Sequence, residues 1–256
     1  MVKTLELDII GQFYASRINR EQCCVFAITV HLTNKIVPEV LQKATNDLVR
    51  RLPFMNGRLA NGFLHFKNEF LSDPPIVIPE ADEPLFCHFY CKGSRHMMRV
   101  AYGADSFTIK TSHVLTDGRG LEKIAAALVV RYYELLGVKI NKDGVIDCLG
   151  DLDDEEMENA YLRYGSDRSR AGERPPKNVL AYRRKANKDG EQYTLTKFFS
   201  AKKIKVLAKI LDLSITQYLL LKIFEIVKKE RETANSKRPI AAFVPVDCRN
   251  FFRASL

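Results

Sequence analysis

The chain has no long apolar run. Its cleanest stretch, residues 124–130, falls far short of the roughly 18 residues a membrane-spanning helix needs, so no membrane span is expected. The opening residues, MVKTLELD, interrupt their apolar positions with charges and form no signal-peptide core, which makes the cytoplasm the expected location. Cysteines are few: Cys23, Cys24, Cys87, Cys91, Cys148 and Cys248 are all there are. Outside the secretory route such thiols stay reduced. Cys87 and Cys91 form a single C-x-x-x-C pair with His88 and His96 nearby, but zinc sites usually show two such pairs. Core thiols are the better reading, and no metal is expected. Internal repeats are absent. Aromatic residues do not alternate regularly with basic ones, as a base-stacking platform would require.

What remains is an ordinary globular composition, 46% hydrophobic, with a net charge of +9. That charge attracts anions, whether phosphorylated co-substrates, acidic proteins or nucleic acid, without choosing among them.

Alternation and spacing place the elements. Residues 21–32 read as a strand and 38–51 as a helix, with Pro38 in the first turn and Val40, Leu41, Ala44 and Leu48 on one face. Residues 62–67 and 76–78 are short strand candidates. Residues 96–102 and 105–112 read as paired strands joined at Gly103-Ala104. A largely buried helix is expected over 119–136, ended by Gly137. Residues 151–158 then hold six acids, and 163–188 hold nine Lys or Arg against two acids. Residues 141–190 therefore read as a charged, partly ordered crossover. A strand over 192–199, a helix capped by Ser200, a second, mostly buried helix opened by a Ser214–Gln217 capping box, and a strand over 239–246 complete the pattern. Three parts follow: 1–140, a first lobe; 141–190, the crossover; and 191–256, the start of a second lobe.

One motif carries chemistry. His113-Val114-Leu115-Thr116-Asp117-Gly118, H-x-x-x-D-G, lies between a strand and a helix. A strand end can hold an imidazole rigidly, and histidine takes a proton near neutral pH. Asp117 can close the turn by pairing with an arginine, and Gly118 permits close approach of substrate or backbone. The start of the following helix favours developing negative charge. The plain alternative makes Asp117 an N-cap, Gly118 a turn residue and His113 a polar strand end. Ser112 could donate at a reacting carbonyl, although on a strand its side chain faces away from that of His113. His65 and His96 read as ordinary strand residues, and Tyr132-Tyr133 as core.

TSHVLTDGRG before a long buried helix resembles the chloramphenicol-acetyltransferase-like superfamily. That group includes condensation domains, carnitine acyltransferases and alcohol O-acetyltransferases. Arg51-Leu52-Pro53-Phe54 after a helix, and Val244-Pro245-Val246-Asp247-Cys248-Arg249, are similar to the alcohol O-acetyltransferase branch. The resemblance implies an α/β (α+β) two-layer sandwich, a mixed sheet with packed helices. It implies His113 as general base, Asp117 as a structural residue paired with an arginine, and Arg17, then Arg249, as that partner. It also implies acyl-CoA, most simply acetyl-CoA, as co-substrate, and a small alcohol or amine as acceptor. No permanently bound cofactor and no specific nucleic acid are implied, and no cofactor-binding residue is assigned. Ser112 stands where condensation domains carry a second histidine, which favours ester formation; an amide-forming, condensation-type enzyme is the alternative. Family members are longer and build their tunnel between two lobes. This chain resembles the first lobe, so an oligomer or a missing C-terminal lobe is expected to complete the site, or else the chain is a noncatalytic binding protein with an incomplete site.

Overall fold

The computed structural model describes residues 4–18, 24–62, 65–83, 96–165, 178–180, 196–233, 237–247 and 249. It divides into two units, residues 1–167 with 248–256, and residues 168–247.

In the first unit the elements are β1 (Thr4–Glu6), α1 (Ile9–Arg17), β2 (Val25–His31), α2 (Pro38–Arg51), β3 (Gly57–Asn61), β4 (Phe66–Phe70), β5 (Ile78–Pro79), β6 (Met98–Tyr102), β7 (Ser106–Ser112), α3 (Gly118–Leu135) and α4 (Ala160–Tyr164). The expected mixed sheet with packed helices is present, in the order β2-β7-β6-β5, with β5–β6 the parallel pair. A smaller antiparallel sheet, β1-β4-β3, accompanies it.

The core follows from the patterning. Leu41, Ala44, Leu48 and Val49 line the buried face of α2; Leu121, Ile124 and Leu128 line that of α3; and Phe107, Ile109, Met98 and Val100 come from β7 and β6. β7 is one of the two inner strands, and nearly all of it is buried. Its polar members are satisfied locally, as where the Thr108 and Thr29 hydroxyls meet at 2.8 Å across the β2–β7 register. Tyr132 is core, as expected, and its hydroxyl accepts the Val37 N–H at 2.9 Å at the start of α2, where no side chain caps the helix. Gly137 ends α3 at φ +79°, a conformation that favours glycine. The acidic segment is tied down. Arg51, the arginine of the R-x-P-F stretch, makes a buried two-pronged ion pair with Glu156 at 2.5 and 3.0 Å, and Cys148 packs in the core.

Two expectations in this unit are met only in part. Of residues 62–67, the described Gly62 and His65 lie outside any strand while Phe66 and Lys67 open β4, and of residues 76–78 only Ile78 is in a strand. Gly62 follows the end of β3, and its N–H donates to the His65 carbonyl at 2.8 Å before β4 begins. β3 and β4 pair as antiparallel neighbours on either side of this stretch.

In the second unit, α5 (Ala201–Ile210) is capped by Ser200, whose hydroxyl accepts the Lys203 N–H. α6 (Ile215–Thr233) opens with a full capping box: Gln217 N–H donates to the Ser214 hydroxyl, and Ser214 N–H to the Gln217 side chain. Three expectations differ here. The described half of the 192–199 strand is irregular, with Phe198 and Phe199 exposed, and 239–246 is irregular too. A strand needs a neighbour for its backbone groups; the Leu180 N–H donates to the Pro239 carbonyl, and Pro239 and Pro245 bring no N–H of their own. α6, expected to be mostly buried, exposes Ile215, Leu219, Ile223 and Ile226 along one stripe.

Candidate active site

The site forms where β7 ends. Ser112 is buried opposite Val25 of β2, and one residue later the His113 N–H still donates to the Cys24 carbonyl at 2.9 Å. The ladder thus fixes the histidine backbone beyond the strand. The Leu115 N–H returns to the Ser112 carbonyl at 3.0 Å, and the Val114 N–H to the Ser112 hydroxyl at 3.2 Å, closing a turn.

The His113 imidazole is half-buried. Tyr14 of α1 stacks on it at 4.6 Å between ring centroids and 14° between planes, and Phe26 of β2 at 4.1 Å and 21°. Burial lowers its pKa below the ordinary histidine value; a backbone hydrogen bond at Thr116 and the nearby Asp117 carboxylate push the other way without reversing it. Burial thus favours the neutral ring, the form able to accept a proton.

Asp117 does two things at once. It caps α3, accepting the Gly120 N–H at 2.8 Å, and it takes a two-pronged ion pair from Arg249 at 2.7 and 3.2 Å. The cap reading and the ion-pair reading of the sequence therefore describe the same carboxylate. Arg249, the second of the two arginines proposed as partner, is the one found against it. Arg17, the first, lies in the last turn of α1 with its guanidinium 5.1 Å from the Phe13 ring centre. The helix carries Arg17 onto its own preceding turn.

A Cβ at Gly118 would meet nothing within 4 Å, so no backbone or side chain approaches it closely. A Cβ at Gly120 would lie 2.0 Å from the Thr116 hydroxyl. Gly120, which the motif reading passed over, lets the helix begin tight against the turn. Tyr14 and Phe26 were also passed over. Tyr14 lies three residues before Arg17, and Phe26 is brought to His113 by a strand register that no local spacing reveals.

Among the described residues no group of three or more His, Cys, Asp or Glu could hold a metal ion, and no helix is long and apolar enough to cross a membrane. Cys87, His88 and Cys91 lie outside the described residues, as does most of the basic stretch. The His65 side chain is exposed, and a ring nitrogen of His96 stands 2.8 Å from the Asp73 carbonyl oxygen.

No protein-family model matches the chain, and no curated protein matches it. Among solved structures it is similar to the starter condensation domain of rhizomide synthetase RzmA, at 12% identity and TM-score 0.43, over 53% of this chain and 38% of that one. It is similar to the epimerization domain from the third module of tyrocidine synthetase B, at 12% identity and TM-score 0.43, over 55% and 36%. It is similar to polyketide synthase associated protein 5 from Mycobacterium tuberculosis, at 18% identity and TM-score 0.40, over 52% and 33%. The chain thus spans little more than a third of the length of these structures.

Proposed function

We propose that this chain carries the general base of an acyltransferase. His113 takes the proton of an acceptor hydroxyl as its oxygen attacks the carbonyl of a coenzyme A thioester, most simply acetyl-CoA. The tetrahedral intermediate then expels the thiolate, which recovers the proton from the imidazolium. Ester and free thiol leave, and no covalent acyl-enzyme forms. An amine acceptor would follow the same path to an amide. The observation that carries this reading is the half-buried imidazole held at the end of β7, beside a turn closed by Asp117 as both helix cap and ion-pair partner of Arg249. Asp117 supports the geometry and takes no proton. The N–H groups at the start of α3 favour negative charge developing nearby.

The test is thiol release from acetyl-CoA with a panel of small alcohols and amines. His113→Ala should lower the rate by about 10²–10⁴-fold with the fold retained by circular dichroism; a full rate in the variant removes His113 as the base. Because burial lowers the His113 pKa, the ring stays neutral somewhat below pH 6.5, and the acid limb of the rate should lie below that value. The same shift links to stability. The unfolded chain takes this proton first as pH falls below 6.5, so the site's contribution is intact above that pH and lost as acid reaches the folded pKa. Thioester binding without turnover for any acceptor would favour a noncatalytic binding protein.

A further inference from the structure

We infer that Tyr14 and Phe26 are positioning residues for His113, gripping the imidazole so that one fixed edge of the ring is presented to substrate. The inference rests on the general-base reading and deepens it. Two aromatic rings at 4.6 and 4.1 Å, both nearly parallel to the imidazole, do not fit side by side on one face, so they cover opposite faces. Rotation of the imidazole about its Cβ–Cγ bond would drive its edges into both rings. The two ring nitrogens therefore do not exchange places, and the same nitrogen always meets the acceptor. With both faces covered, an acceptor reaches the ring only in its plane, which is the direction a proton transfer to nitrogen requires.

Each jaw is anchored separately. Tyr14 rides on α1, whose start is capped by Asp8 at 2.6 Å from the Gly11 N–H. The helix is pinned to β4 by Gln12, whose side chain donates to the Phe66 carbonyl at 2.8 Å and accepts the Phe66 N–H at 3.0 Å. Phe26 is fixed by the β2 ladder opposite Thr111. Phe13 meets Tyr14 edge-on at 5.5 Å and carries Arg17 above it, so the row of rings runs outward from the site to a cation. The groups facing the imidazole are then Tyr14 from α1, Phe26 from β2, and Thr116 and the Arg249-paired Asp117 from the turn.

The experiment is nuclear magnetic resonance of the full chain with isotope-labelled histidine, the His113 signals assigned by their loss in His113→Gln. Tyr14→Phe keeps the ring, and Tyr14→Leu removes it at similar bulk. The Phe variant should keep the wild-type imidazole signals, single tautomer and transfer rate. The Leu variant should move the His113 ring protons downfield as the ring current is lost and show a mixture of tautomers. Its kcat should fall about 10- to 100-fold at unchanged KM, the scale of a misplaced catalytic group. Phe26→Leu should act alike. Unchanged imidazole signals in both Leu variants overturn the inference, and so does an equal loss in Tyr14→Phe, which would assign the effect to the phenol hydroxyl. The spectra do not depend on turnover. Full transfer in His113→Ala alongside the expected spectra removes the base and leaves the grip standing, so the two readings fail separately.

Discussion

The two units are built from the same kinds of local signal and differ in what their apolar faces meet. In the first, α2 and α3 turn their apolar stripes onto β6 and β7, and Leu41, Leu48, Leu121, Ile124 and Leu128 lose all contact with solvent. In the second, α5 and α6 are as well capped as any helix of the first, yet Ala208 is the buried apolar residue among the described residues, while Ile226 is 60% exposed and Phe198 94%. Capping fixes where a helix starts. It does not decide whether the helix has a core to join, because most helical stability in a folded protein comes from packing one face.

That contrast makes its largest prediction in matched truncations. Leu128→Ala should destabilise the first unit by about 2–5 kcal/mol. Leu219→Ala and Ile226→Ala, on the exposed stripe of α6, should stay within about 0.5 kcal/mol. Urea unfolding followed by circular dichroism reads both. A cost at Ile226 comparable to that at Leu128 would mean that the stripe is covered in solution, and the contrast between the units would disappear.

The packing of the first unit also reaches the turn that holds the site, and paired glycines measure how far. Gly120→Ala forces the Thr116 side chain aside and should cost about 1–3 kcal/mol, as overpacking does. Gly118→Ala enters open space in the first turn of α3 and should be neutral or stabilising by up to about 1 kcal/mol, because alanine has less freedom to lose on folding. Thermal melts of the two variants separate them. Equal costs would show that the turn is not packed as described.

The sequence carried the elements whose signal is local. The bounds of α2, the β6–β7 hairpin with its turn at Gly103, the Gly137 stop and the Ser214–Gln217 box were legible because each depends on neighbours a few residues away. The strands expected over 192–199 and 239–246 were not borne out in their described parts, because apolar alternation reports a propensity and a strand also needs a partner. At the site, His113 and Asp117 were visible as a motif. Residue spacing does not determine how partners sit in space, so the order that put Arg17 before Arg249, 232 positions away, is reversed by the structure, and the two rings on His113 were not visible. The ring contacts depend on where α1 lands and on the β2 register, which are properties of the assembled fold.

The smallest effect expected falls on the aspartate itself, and it separates the two tasks of one carboxylate. Asparagine caps a helix about as well as aspartate, so Asp117→Asn keeps the Gly120 N–H satisfied and removes only the charge facing Arg249. The Asp117 side chain is 52% exposed and that of Arg249 21%, so solvent screens the pair, and an exposed ion pair contributes about 0–1 kcal/mol. Asp117→Asn should therefore melt close to wild type. Asp117→Ala loses the cap as well and should cost about 1 kcal/mol more, much as Ser214→Ala should cost its own helix in the second unit. Transfer should nevertheless fall in both Asp117 variants, because the turn after His113 is no longer tied to Arg249. A stability loss in Asp117→Asn as large as in Asp117→Ala would mean that the ion pair, and not the cap, holds the start of α3. The aspartate would then serve the fold before it served the histidine.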